Sequence, residues 1–113
     1  MTKEIYKLTN RRELAKDFSL KDQIRRASIS IASNIAEGFG RGGSKEFIQF
    51  LSVSKGSLYE LKTQIYIAID LNYLTQEEFK EIEILIDDIG KLTNGFINYL
   101  KSTEIKGSKF KQN

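Results

Sequence analysis

Apolar residues recur along most of this chain at intervals of three and four, the period of an α-helix buried along one face. Leu20, Ile24, Ala27, Ile31 and Ile35 form the first long stripe, with spacings of 4, 3, 4 and 4. Residues 28 to 31 (Ser-Ile-Ser-Ile) alternate as a strand would, but the helical stripe around them runs much further. Phe47, Leu51, Ser54, Leu58, Leu61, Ile65 and Ala68 form the second, a heptad-like seam suited to an antiparallel bundle. Phe79, Ile82, Ile86, Ile89, Thr93, Phe96 and Leu100 form the third, with Leu85, Leu92 and Tyr99 on an adjacent face. Two apolar faces on that segment predict burial on more than one side, by its own bundle or by another subunit.

Ahead of these lies a short helical fragment over residues 2 to 9, with Ile5 and Leu8 three apart. The polar stretch Asn10 to Phe18 is either a short helix, capped by Asn10 with Glu13 three residues on, or a connection. Ser19 with Asp22, and Thr75 with Glu78, have capping-box spacing; Ser44 is placed to cap the middle helix. Small residues, from Ala27 to Ala36 and again at Ser52 and Gly56, permit close helix approach. The expected fold is all-α: an antiparallel, up-down four-helix bundle with a short first helix. It occupies residues 1–101, followed by a mobile basic tail over 102–113 where the periodicity ends.

Composition narrows the chemistry. Among 113 residues there is no cysteine, histidine, proline or tryptophan. That removes a disulfide framework, a thiolate nucleophile, and the commonest general base and transition-metal ligand. No apolar run approaches membrane-spanning length and no signal-peptide core opens the chain, so the expected location is the cytoplasm, without membrane contact. The net charge of +3 is uneven: residues 1–62 carry 12 basic and 7 acidic groups, residues 63–104 carry 3 and 8, and the last nine add three lysines. Either helices attract one another within the bundle, or one surface is offered to a polyanion.

Three patterns resemble catalytic or nucleotide motifs. Gly38-x-Gly40-x-x-Gly43 has dinucleotide-loop spacing, with Glu60 at the distance of a ribose-binding acid, but no strand precedes it. Gly38 to Lys45 resembles a phosphate loop with its lysine and serine interchanged. Ser52-x-x-Lys55 matches a serine–lysine pair with no companion motif. Each lacks the context its chemistry requires, so the expectation is a protein that binds, without catalytic residue, cofactor or metal.

Arg26, Ser30, Asn34 and Glu37 share one face at spacings of 4, 4 and 3. They form either a solvated face or a polar network with the next helix, in which Glu60 would partner Arg26. Arg41 and Lys45 flank a glycine turn at a helix N-terminus, which is either an ordinary exposed basic turn or a place where an anion is favoured. Arg25, Lys21, Arg12 and Arg11 would extend that patch for nucleic acid, RNA or DNA. Tyr59, Tyr66 and Tyr73 lie seven apart, as a core edge with wet hydroxyls or as an oligomer interface.

One family carries many of these residues together. Gln23-Ile24-Arg25-Arg26-Ala27, Ser30, Asn34-Ile35-Ala36-Glu37-Gly38, Arg41, Lys45-Glu46-Phe47, Gly56-Ser57 and Glu60 closely resemble the small bundle proteins encoded in intervening sequences of large-subunit ribosomal RNA genes. A related branch is the accessory variability protein of diversity-generating retroelements. The resemblance covers roughly residues 4 to 100. It implies an antiparallel four-helix bundle, a ring-like homopentamer and no enzymatic activity. In the retroelement branch it implies binding of nucleic acid and of a reverse transcriptase. Family members usually carry a longer, aromatic-containing first helix ahead of the part matching Glu4-Ile5-Tyr6-Lys7-Leu8. Either the start of this chain is truncated or the first helix of this member is clipped, and a clipped helix would leave apolar surface uncovered, for another subunit to fill.

Overall fold

The computed structural model describes residues 1–111, and side chains as far as Thr103. Five helices follow one another: α1 (Thr2–Thr9), α2 (Arg12–Lys16), α3 (Phe18–Gly40), α4 (Ser44–Asp70) and α5 (Gln76–Lys111). Short connections between α3, α4 and α5 force those three to pack antiparallel, and α1 settles against α3 and α5 as the partial fourth member. The bundle expected from the periodicity is thus present. Its first helix is divided, because Arg11 and Arg12 interrupt it; Arg12 has φ 52°, in the left-handed region.

The three apolar stripes meet in one core. Ile24, Ala27 and Ile31 of α3 face Leu58, Leu61, Ile65 and Ala68 of α4 and Ile82 and Ile86 of α5, with Ile5, Leu8 and Leu14 closing one end. At the other end Leu51, Ile97 and Leu100 make a smaller cluster. The second face of α5 is only half used: Leu85 packs against the core, whereas Leu92 and Tyr99 stand in solvent.

Helices α3 and α4 approach through small residues. Ser54 is fully buried and donates to the Ile31 carbonyl at 2.9 Å, while the hydroxyls of Ser30 and Ser57 share a hydrogen bond at 2.9 Å. The pair used is therefore Ser54 and Ser57; Ser52 and Gly56 face solvent. Gly38 belongs to the same seam. A Cβ placed on it would lie 2.6 Å from Phe50 Cβ, so glycine here serves close packing inside a helix. The turn itself is shorter than Gly38–Gly43, and only Gly42 in it takes a positive φ, at 79°.

Capping follows the sequence in part. Thr75 and Glu78 form the reciprocal box, with the Thr75 amide donating to Glu78 Oε1 and the Glu78 amide to Thr75 Oγ1. Ser19 does not open α3; Asp17 does, accepting from the Leu20 amide at 3.1 Å. Neither Asn10 nor Ser44 caps a helix: the N-cap positions belong to Arg11 and Gly43, neither with a side-chain bond. The boundary expected at 101 is not a helix end, since α5 continues to Lys111. Side chains from 104 onward and residues 112–113, where the basic tail was expected, lie outside the described residues.

Glu78 also ties the first helix to the last. Arg11 approaches it at 2.8 Å and Arg12 at 3.7 Å. Partial burial pushes its carboxyl up, but the Thr75 hydrogen bonds and the two arginines outweigh this and hold it below the ordinary range. A depressed folded pKa contributes stability at neutral pH that is lost as pH falls through it. Replacing Glu78 with glutamine is expected to lower the melting temperature at pH 7, with the difference from wild type closing as the pH falls below the ordinary carboxylate range. A constant difference across a pH series of thermal melts would contradict this.

Candidate nucleic-acid interface

The sequence-predicted cations do not form one patch. Arg25 of α3 and Arg41, the residue that follows its last turn, are 16 positions apart, which separates them by about 24 Å along the helix axis. Lys21 and Arg25 lie near the α1 end, Arg41 and Lys45 at the α3–α4 turn. Arg41 is held by Glu37 at 2.9 Å and leans on the Phe50 ring; Arg12 is drawn to Glu78. Lys45 is exposed, and among the described residues it has no ion-pair partner.

Arg25 sits in the richest surroundings. Its Nε–H donates to Thr9 Oγ1 at 2.8 Å, and its guanidinium lies 4.4 Å from the centre of the Tyr6 ring. Thr9 is itself buried and donates to the Ile5 carbonyl at 2.8 Å. The side chain is thereby fixed, and it remains half-buried at the surface. The outer face of α1 adds Lys3 and Lys7, and these line an open groove with Tyr6, Asn10, Arg11 and Arg25. Four cations border this groove and no acid does. Arg11 is offset by Glu78, but among the described residues Lys3, Lys7 and Arg25 have no carboxylate partner.

Lys3 and Lys7 escaped the sequence reading. The signal was there: Lys3, Tyr6, Lys7 and Asn10 fall on the face of α1 opposite Ile5 and Leu8.

The polar network also divides. Asn34 donates to the Ser30 carbonyl at 2.8 Å and reaches the Ser30 hydroxyl, completing a small cluster with Ser57. Arg26 is not part of it; its partner is Asp22 at 2.7 Å, and Glu60 is exposed. Glu37 pairs with Arg41, outside the cluster. Four-residue spacing on an exposed face favours these local pairs over a reach to α4.

The tyrosines have separate tasks. Tyr73 donates to Asp17 at 2.9 Å, fastening the α4–α5 connection to the start of α3. Tyr66 donates to Glu83 at 2.6 Å, beside the Lys62–Asp87 pair at 2.8 Å. These bonds raise the pKa of both phenols, because each hydroxyl donates to a carboxylate. Only Tyr59 stands open with no partner among the described residues.

A markedly apolar opening lies elsewhere. Beyond the N-terminal end of α1, a trough of about 400 Å³ runs between α3 and α5 over Ile31, Ile35, Phe47, Leu51, Leu92 and Phe96. Aromatic rings continue it: Phe39 against Phe47 at 6.1 Å, Phe47 against Phe96 at 5.3 Å, Phe96 against Tyr99 at 6.3 Å.

A family model described as 23S rRNA-intervening sequence protein matches residues 1–95. The chain belongs to this family. No curated protein matches it. The part of the chain that the intervening-sequence family model covers holds α1 to α4 and over half of α5, and with them the basic groove and the trough except for Phe96. Gly38-x-Gly40-x-x-Gly43, the pattern closest to a nucleotide loop, falls within this family span as two helical glycines and a turn residue, with helix on both sides. Among the described residues no helix is long and apolar enough to cross a membrane.

Proposed function

We propose that this intervening-sequence family member is a non-enzymatic, self-assembling bundle that binds nucleic acid electrostatically. The observation that carries the reading is the groove of Lys3, Lys7 and Arg25, three cations without carboxylate partners among the described residues, one of them locked in place by Thr9 and Tyr6. Like charges crowd at a cost unless a polyanion is the intended neighbour. Arg41 and Lys45 make a second, weaker contact at the far end. The wild-type protein is expected to bind RNA or DNA with an affinity that falls steeply and linearly on a log–log salt plot. Absent or salt-insensitive binding would refute it.

Self-assembly rests on the trough and its aromatic margin. Phe39, Leu92 and Tyr99 are 74%, 73% and 65% exposed, and they flank a channel bordered by no charged side chain among the described residues. Such a continuous apolar surface suits a helix of a second copy, and a ring repeats the basic groove once per subunit. Changing Leu92 and Phe96 to aspartate is expected to leave helicity intact while reducing the mass in light scattering to that of the monomer. An unchanged oligomer mass would exclude the trough as the contact. The same surface favours a second reading, a protein-interaction module without nucleic acid, which predicts that salt-resistant partner capture disappears in that variant while nucleic-acid affinity is absent in both.

A further inference from the structure

The basic groove does not end at Arg25. That residue also borders a second shallow groove, formed by the first turn of α3 with Phe18, Lys21 and Asp22. Phe18 is 73% exposed, and among the described residues the Lys21 ammonium, 4.9 Å from its ring centre, is the cation over it. Asp22 is taken up by Arg26 and does not oppose Lys21. The surface thus alternates cation and ring: Lys3 and Lys7 beside Tyr6, Arg25 over Tyr6, Lys21 over Phe18.

Phosphate attraction explains the cations and leaves the rings unexplained. A duplex keeps its bases stacked inside, so a basic surface that binds one gains nothing from an exposed phenyl group. A single strand presents both phosphates and free base faces, and cations interleaved with aromatic rings bind it through both. The geometry points to single-stranded nucleic acid as the ligand class. Its backbone would track Lys3, Lys7, Arg25 and Lys21, with a base stacked on Phe18. This rests on the nucleic-acid reading above and narrows it.

The test compares a labelled single-stranded RNA with its duplex, by fluorescence anisotropy on the full chain. Phe18→Ala should weaken single-strand binding by about 5- to 100-fold, leave duplex binding within about twofold, and keep the salt slope, since no charge is lost. Phe18→Trp should restore binding, because the platform is the ring face. Equal losses on both ligands, no loss on either, or a wild-type preference for duplex would overturn the assignment. In those outcomes salt-dependent binding by the wild type would leave the broader reading standing, whereas no binding to either ligand would remove both.

Discussion

Replacing Gly38 with alanine is expected to destabilise the protein by about 1–2 kcal/mol, although alanine is the better helix former. Two effects oppose each other. Glycine in a helix interior costs about 1 kcal/mol relative to alanine, so the substitution gains that much. Against it, the new methyl group would meet Phe50 Cβ at 2.6 Å and Phe47 Cδ1 at 2.9 Å. Phe47 can swing its ring, but a Cβ moves only with its backbone. Helices α3 and α4 would have to separate along a seam closed by Ser54 and by Ser30 with Ser57. Overpacking of this kind costs about 1–3 kcal/mol, toward the upper end where the obstructing atom is rigid. The net loss corresponds to a fall in melting temperature of roughly 4–16 °C. Gly56, Gly90 and Gly95 supply the contrast: each lies within a helix, and a Cβ there meets nothing within 4 Å. Alanine at any of those three should stabilise by about 0.5–1 kcal/mol. If Gly38→Ala raised the melting temperature as they do, the close approach would be refuted.

Gly38 also shows where the sequence was legible and where it was not. The apolar stripes identified three helices and their facing sides, because burial along one face imposes a period that no other structure shares. A glycine carries no such signature. In a run reading Gly-Phe-Gly-Arg-Gly-Gly, turn formation and close packing demand the same residue, and only the position of Phe50 on the facing helix separates them. Polar partners are hidden in the same way. Arg26 can reach Asp22 one turn back or Glu60 on the next helix, and the local pair forms because it requires no particular docking of α3 on α4. Part of the trough was legible, through Leu92 and Tyr99 on the second apolar face of α5, whereas Phe39 at its margin was not. Phe39 is off the stripe of α3, and its edge-on packing with Phe47 depends on how the turn brings α4 back. The basic site was half legible: Arg25 stood out beside the small-residue run, but Lys3 and Lys7 join it only because α1 docks across α3.

Neutralising that site is expected to have the largest effect on binding. In Lys3→Ala/Lys7→Ala/Arg25→Gln three phosphate contacts are lost, each contributing about 0.7 to the salt slope for a single strand. The slope should therefore fall by about 2, and affinity at 0.1 M salt by on the order of 100-fold, with the two proteins converging near 1 M. Convergence distinguishes lost phosphate contacts from misfolding, which would weaken binding at every salt concentration. The lysines are exposed and alanine suits a helix, so their loss leaves folding intact. Arg25 gives up its bond to Thr9 and its place on Tyr6, a change visible as a modest drop in melting temperature. The matching variant at the other end, Arg41→Ala/Lys45→Ala, removes one cation already neutralised by Glu37 and one open to solvent. It should reduce the slope by less than about 1 and the affinity less than about 5-fold. The ranking follows from ion pairing: a cation that gives up a carboxylate to meet a phosphate exchanges one partner for another, whereas Lys3, Lys7 and Arg25 gain one. The reverse order, with the α3–α4 turn dominant, would move the interface to Arg41 and Lys45 and leave the groove on α1 without a role in binding.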